Sequence, residues 1–118
     1  MEDSKSVLVI EDNSEIRNVI VTFLEISGFT VNSCENGLKG LEAFKKLKTD
    51  YVITDIKMPG ELDGIEIVRR IKAYRPKTKI FVCTGFAENL ESIENMAHKI
   101  LEKPLNLQFL KKCLDDAS

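Results

Sequence analysis

Glu11 and Asp12 stand side by side, Asp55 lies within "YVITDIKMPG", Thr84 precedes Gly85, and Lys103 precedes Pro104. Each follows a short, mostly apolar run: "VLVI", "YVIT", "KIFVC" and "KILE". Asp55 poses the sharpest question, because an acid set directly after a buried-type run is costly unless it sits at an open edge or has a partner. Three carboxylates brought together repel, and a hard divalent cation, which prefers oxygen ligands, relieves that repulsion most simply. Mg²⁺ is the expected ion. A cation on carboxylates, with a hydroxyl and one lysine beside it, makes a site for a phosphoryl group whose charge the ion, Thr84 and Lys103 would share.

Taken singly, each residue has a plainer role. An acidic pair ahead of a helix complements the helix dipole; an aspartate before a turn caps it, a threonine ends a strand, and a lysine covers surface. The joint placement carries the reading: an acidic pair, an acid, a hydroxyl and a lysine each close a different strand, in that order.

The elements that must position them are legible from periodicity. "SVLVI", Ser6 to Ile10, reads as a strand, and Ile16, Val19, Ile20, Phe23 and Leu24 then fall on one helical face, with Asn13 or Ser14 as N-cap and Gly28 as stop. "FTVNSC" is a second strand. A second helix follows, with Leu38, Leu41, Phe44 or Ala43, and Leu47 inward. "YVITD" is the third strand, and "GIEIVRRIKAY" a helix facing inward through Ile67, Val68 and Ile71 and stopping before Pro76. "KIFVCTG" is the fourth strand, "AENLESIENMA" a weaker helix carrying Leu90, Ile93 and Ala97, "KILEK" a short fifth strand, and "NLQFLKKCLDD" a last helix on Leu107, Leu110 and Leu114. Five apolar strands alternating with five helices imply an α/β fold, a parallel sheet covered on both faces with right-handed crossovers. In such a sheet the carboxyl ends of the strands share one edge, where ligands bind.

Composition excludes several classes. The 118 residues, 43% hydrophobic and 31% charged with a net charge of −2, suit one ordinary domain with a single core. The interspersed charges leave no footprint for nucleic acid or an anionic membrane, and "KKLK" at Lys45 to Lys48 reads as a solvated helix end. No stretch is long and apolar enough to span a bilayer and none resembles a signal peptide, so a cytoplasmic location is expected. Cys34, Cys83 and Cys113 are widely spaced and read as small buried thiols; His98, the one histidine, has no ligand-spaced neighbour and reads as structural.

"VLVIEDN", "YVITDIKMPG" with "DGIEIVRRIK", "FVCTG" and "ILEKP" are similar, in order and spacing, to the motif blocks of response regulator receiver domains of two-component signal transduction. The resemblance covers essentially the whole chain and implies one receiver domain over residues 1–118, either free-standing or part of a longer regulator or hybrid kinase. It also implies a doubly wound, flavodoxin-like sheet of order 2-1-3-4-5, as in chemotaxis receivers. By the same resemblance Asp55 is the phosphoacceptor, taking a phosphoryl group from the phosphohistidine of a sensor histidine kinase or a histidine phosphotransfer protein. Asp12, with Glu11 partly through water, would hold Mg²⁺ together with Asp55 and the backbone carbonyl of Lys57. Thr84 and Lys103 would take hold of the phosphoryl oxygens, and Pro104 would follow a cis peptide. The family implies no enzyme beyond self-phosphorylation and slow self-dephosphorylation. The response is expected on the fourth helix, fifth strand and fifth helix, which would meet a downstream protein target rather than nucleic acid or membrane.

Three departures stand out. The aromatic switch position three residues before the lysine is Ile100, the loop "MPGELDG" is one residue longer than the common form, and Lys57 and Phe86 flank the path of water to an acyl phosphate. Rival classes fit less well. A phosphatase with an aspartate nucleophile wants a second acid where Lys57 stands, a flavodoxin-like electron carrier wants a hydroxyl- and glycine-rich loop where "EDNSE" stands, and no P-loop or GxGxxG occurs. The remaining alternative is a degenerate receiver serving as an interaction module without phosphotransfer.

Overall fold

The structure is a computed structural model and describes residues 5–57, 63–85, 91 and 93–117. In chain order the elements are β1 (Ser6–Ile10), α1 (Ser14–Ile26), β2 (Thr30–Cys34), α2 (Gly37–Lys46), β3 (Tyr51–Asp55), α3 (Gly64–Tyr74), β4 (Lys79–Thr84), β5 (Lys99–Glu102) and α4 (Leu107–Ala117). All five strands pair in parallel in the order β2-β1-β3-β4-β5. The chain is therefore a doubly wound α/β sheet of the order expected.

Strand pleating divides the core into two layers. Val7, Val9, Tyr51, Ile53, Phe81 and Cys83 pack with Ile20 and Leu24 of α1 and Leu110 and Leu114 of α4. Leu8, Ile10, Val52, Ile80 and Val82 pack on the other side with Leu41 and Phe44 of α2 and Ile67, Val68 and Ile71 of α3. Continuous apolar runs follow from this, since β1, β3 and β4 are buried on both faces. The edge strands differ: β2 exposes Thr30, Asn32 and Ser33, and β5 exposes Lys99 and Glu102. The expectation of five strands buried on both faces is thus corrected to three, because an edge strand has a sheet neighbour on one side only.

Local chemistry sets the helix starts. The side chains of Asn13, Asn36 and Asp63 accept hydrogen bonds from the backbone N–H groups of Ile16, Lys39 and Glu66, capping α1, α2 and α3. Asn13, not Ser14, is the cap of α1. Gly28 follows α1 at φ +100°, a left-handed turn that favours glycine.

Two inward faces were expected to be wider than they are. Ile16 and Val19 of α1 are 39% and 55% exposed and line a cleft instead of packing on the sheet, and Leu38, in the first turn of α2, is 51% exposed. Cys34 is half-buried, whereas Cys83 and Cys113 are buried as expected.

Of the weak helix expected over 87–97, residues 87–90 and 92 lie outside the described residues. Residues 93–96 form a turn in which the N–H groups of Met96 and Ala97 both donate to Ile93 O, at 2.9 and 2.8 Å. Ile93 is fully buried and anchors the segment. Among the described residues there are four helices, one fewer than expected.

Candidate phosphoacceptor site

The carboxyl ends of β1, β3, β4 and β5 converge on one edge. Glu11 extends β1 by one residue: its N–H donates to Cys34 O at 3.1 Å, as a continuing parallel ladder would. Two further contacts hold it, the Arg17 guanidinium donating to Glu11 O at 2.8 Å and the Asn13 N–H donating to Glu11 Oε2 at 3.1 Å. Glu11 is buried and Asp12 beside it is exposed.

Asp55 ends β3 and is 8% exposed. Its Oδ1 accepts from the Lys57 N–H at 3.3 Å, and its Oδ2 accepts from Lys103 Nζ at 2.7 Å. One carboxylate oxygen each from Glu11, Asp12 and Asp55 lie within 4.8 Å of one another. Three anionic oxygens at that spacing suit a small, hard divalent cation, so the donor set fits Mg²⁺. Lys57 itself is exposed beside them.

Lys103 crosses the site. Its N–H donates to Thr84 O at 2.8 Å, which fixes its backbone to the end of β4, and its ammonium reaches Asp55 and, at 3.4 Å, Glu11. The Lys103–Pro104 peptide is cis. Thr84 is buried, opposite Glu102 in the β4–β5 register, one step beyond the Cys83 that pairs with Asp55.

Electrostatics follow from burial and crowding. Burial pushes the Glu11 carboxyl above its ordinary range, Asp12 and Asp55 push the same way, and the Asn13 N–H and Lys103 oppose them. Burial alone would depress Lys103, but its hydrogen bond and charge contact with Asp55, then Glu11, hold it above the ordinary lysine value. Cys83, beneath the site, is pushed up by burial to about 12 and remains a thiol.

Other residues named from sequence lie elsewhere. Phe86 and the longer loop, residues 58–62, fall outside the described residues. Ile100 is half-buried on β5 opposite Val82, packed with the α2–α3 layer. His98 is exposed, its ring edge-on to Phe81 at 5.3 Å.

Sequence reasoning passed over three residues at the site: Arg17, Thr54 and Gly64. Thr54, fully buried, donates its hydroxyl to Asp55 O at 3.1 Å. Arg17 carried a signal, being the one cation in the first turns of a helix that follows an acidic pair. A cleft of about 650 Å³ adjoins Glu11 and Lys103, walled by Ile16, Val19 and Ile20 of α1 and by Pro104, Leu105 and Leu107.

Comparison with known proteins agrees with this geometry. The family model "Response regulator receiver domain" matches residues 7–115. The response regulator receiver protein CpdR of Brucella abortus is 37% identical over 109 residues, 90% of each chain. The chemotaxis protein CheY of Thermotoga maritima is 30% identical over 118 residues, 97% of this chain and 98% of that one. A cyclic di-GMP phosphodiesterase of Thermotoga maritima is 34% identical over 90% of this chain, which spans 29% of that protein's length. Among solved structures, a receiver domain protein of Clostridium thermocellum superposes with a TM-score of 0.88 at 33% identity, covering 96% of this chain and 93% of that one. TrrA of Thermotoga maritima, solved in complex with Mg(2+)-BeF, gives a TM-score of 0.88 at 28% identity over 97% and 99%. With sheet order, acidic cluster and lysine all in place, the chain belongs to the response regulator receiver domain family of two-component systems.

Proposed function

We propose that the chain is a working phosphoacceptor in which Asp55 takes a phosphoryl group from a phosphohistidine of a sensor histidine kinase or histidine phosphotransfer protein. The observation that carries this reading is the Asp55 carboxylate, nearly buried yet held open at the sheet edge by Lys103 Nζ at 2.7 Å and the Lys57 N–H at 3.3 Å.

A carboxylate oxygen of Asp55 attacks phosphorus, the P–N bond breaks, and its electron pair returns to the imidazole of the donor. Glu11, Asp12, Asp55 and the Lys57 carbonyl would hold Mg²⁺, which supplies charge neutralisation for the transferring oxygens. The acyl phosphate is more negative than the carboxylate it replaces. Lys103 then trades its contact with Asp55 for one with a phosphoryl oxygen, and Thr84 offers its hydroxyl to another. Because the Lys103 N–H is bonded to Thr84 O, movement of either end transmits to β5.

The response is assigned to the segment between β4 and β5, to β5 and to α4, a surface for a downstream protein. With Ile100 in place of an aromatic, the Thr84 movement is read by aliphatic repacking against Val82. The exposed Ile16 and Val19 beside the cleft give the donor protein an apolar surface next to the nucleophile.

The test is intact-protein mass after incubation with Mg²⁺ and a small phosphodonor, with and without chelator. A single phosphoryl adduct lost in chelator supports phosphotransfer. No adduct with any donor would leave an interaction module that keeps the residues without the chemistry.

A further inference from the structure

The β3–α3 corner is built around a missing side chain. The N–H of Gly64, the first residue of α3, donates to Ile56 O at 2.9 Å, and its α-carbon lies flat on the chain just after the nucleophile. A β-carbon on residue 64 would stand 2.5 Å from Ile56 Cα and 3.0 Å from the Asp55 carbonyl carbon, and closer still to Asp55 O. All three are backbone atoms, which cannot rotate aside as a side chain can. The same short stretch is pinned at its other groups: Thr54 Oγ1 donates to Asp55 O at 3.1 Å, Ile56 N donates to Cys83 O at 3.4 Å, and Lys57 N donates to Asp55 Oδ1 at 3.3 Å. Any residue larger than glycine must therefore move the peptides that carry the Asp55 carboxylate and the Lys57 carbonyl.

We propose that Gly64 is a positioning residue for the phosphoacceptor, the bare surface against which α3 presses the Asp55–Ile56–Lys57 backbone into the geometry that metal binding and phosphoryl transfer use. The inference rests on the phosphoacceptor reading of Asp55. Gly40 supplies an internal control. A β-carbon there would also be too close to its neighbours, 2.5 Å from Ile10 Cδ1 and 2.7 Å from Ile10 Cγ1, but those are side-chain atoms, so the displacement falls on the Ile10 side chain and not on the Asp55–Lys57 backbone.

The experiment compares Gly64→Ala with Gly40→Ala in the full chain under conditions where circular dichroism shows both folded. Three quantities are read: Mg²⁺ affinity by calorimetry on the unphosphorylated protein, the amide resonances of Asp55, Ile56 and Lys57, and the rate of phosphorylation by a small donor. For Gly64→Ala, Mg²⁺ affinity and rate fall by at least about tenfold, since misplacing reacting groups by an ångström costs up to about a hundredfold. Its corner resonances move, whereas Gly40→Ala stays close to the native protein in all three. Should Gly64→Ala not fold, Asp63→Ala loosens the same helix start by removing its cap without adding bulk, and Asn36→Ala removes the equivalent cap of α2. Asp63→Ala then shifts the corner resonances and weakens Mg²⁺ binding severalfold, and Asn36→Ala does neither. Native-like Mg²⁺ affinity and resonances in Gly64→Ala, or identical behaviour of the two cap variants, would overturn the proposal. A native chain that takes no phosphoryl group, paired with weakened Mg²⁺ binding in Gly64→Ala, would remove the phosphoacceptor reading and leave the positioning role standing.

Discussion

Lys103 Nζ lies 2.7 Å from Asp55 Oδ2 and 3.4 Å from Glu11 Oε1, so one ammonium from the end of β5 is the shared counter-charge of two buried carboxylates on β3 and β1. Its side chain keeps 27% exposure, which lets it move without unburying the acids. Lys103→Met leaves those carboxylates facing each other, at a cost of about 1–3 kcal/mol. A divalent cation would then replace the missing charge. The expected outcome is a lower melting temperature for Lys103→Met and a larger rise on adding Mg²⁺ than the native protein shows. Equal rises in the two proteins would mean that Lys103 and the metal site do not share charge.

Arg75 staples α2 to α3. Its guanidinium donates to Phe44 O at 2.9 Å and Leu47 O at 2.8 Å, the unpaired carbonyls at the end of α2, while lying 4.6 Å over the Phe44 ring. Arg75→Ala should cost about 1–3 kcal/mol in denaturant unfolding. Arg75→Lys should recover little, because an ammonium lacks the second nitrogen that reaches Lys45 O at 3.4 Å and the flat face that lies over the Phe44 ring. Neither substitution touches the phosphoacceptor edge, so phosphorylation rates at temperatures below the transition remain native.

His98 offers a titration free of overlap, being the one histidine in the chain. Partial desolvation of the otherwise exposed ring lowers its pKa, and Lys79, Lys72 and Lys99 lower it further. With the folded value below the unfolded 6.5, the unfolded state binds the proton more readily. His98 is therefore neutral in both states above 6.5, and its contribution to stability is lost as pH falls from there through the folded value. Proton resonance of the imidazole should show a midpoint below 6.5 that moves up in Lys79→Met. His98→Gln should flatten the stability profile over that acid limb. A midpoint above the ordinary value would contradict the account of the cluster.

Much of this was legible in the chain because strand ends are marked twice, by the close of an apolar run and by the residue that follows. Glu11, Asp12, Asp55, Thr84 and Lys103 could be placed on one edge for that reason. What escaped reading depends on neighbours that sequence does not reveal. Periodicity assigned Ile16 and Val19 to the core, but a helix face is buried only where a sheet lies under it, and here it borders the cleft. The apolar runs alone do not separate edge from central strands, so reading them as a sheet covered on both faces overstated the burial of β2 and β5. Gly64 passed as an ordinary helix start, since a close approach of two backbones leaves no mark except the glycine itself.

The account turns on Asp55 as the atom that bonds to phosphorus, and chemical mapping of the modified residue tests it most directly. The native chain is phosphorylated with a small donor and Mg²⁺ and reduced with borohydride, which converts an aspartyl phosphate to homoserine, and its peptides are then sequenced by mass spectrometry. The expected result is homoserine at position 55 alone, with none in Asp55→Asn or in chelator. Homoserine at Asp12, or a phosphoryl group that survives reduction on a hydroxyl residue such as Thr84, would contradict it.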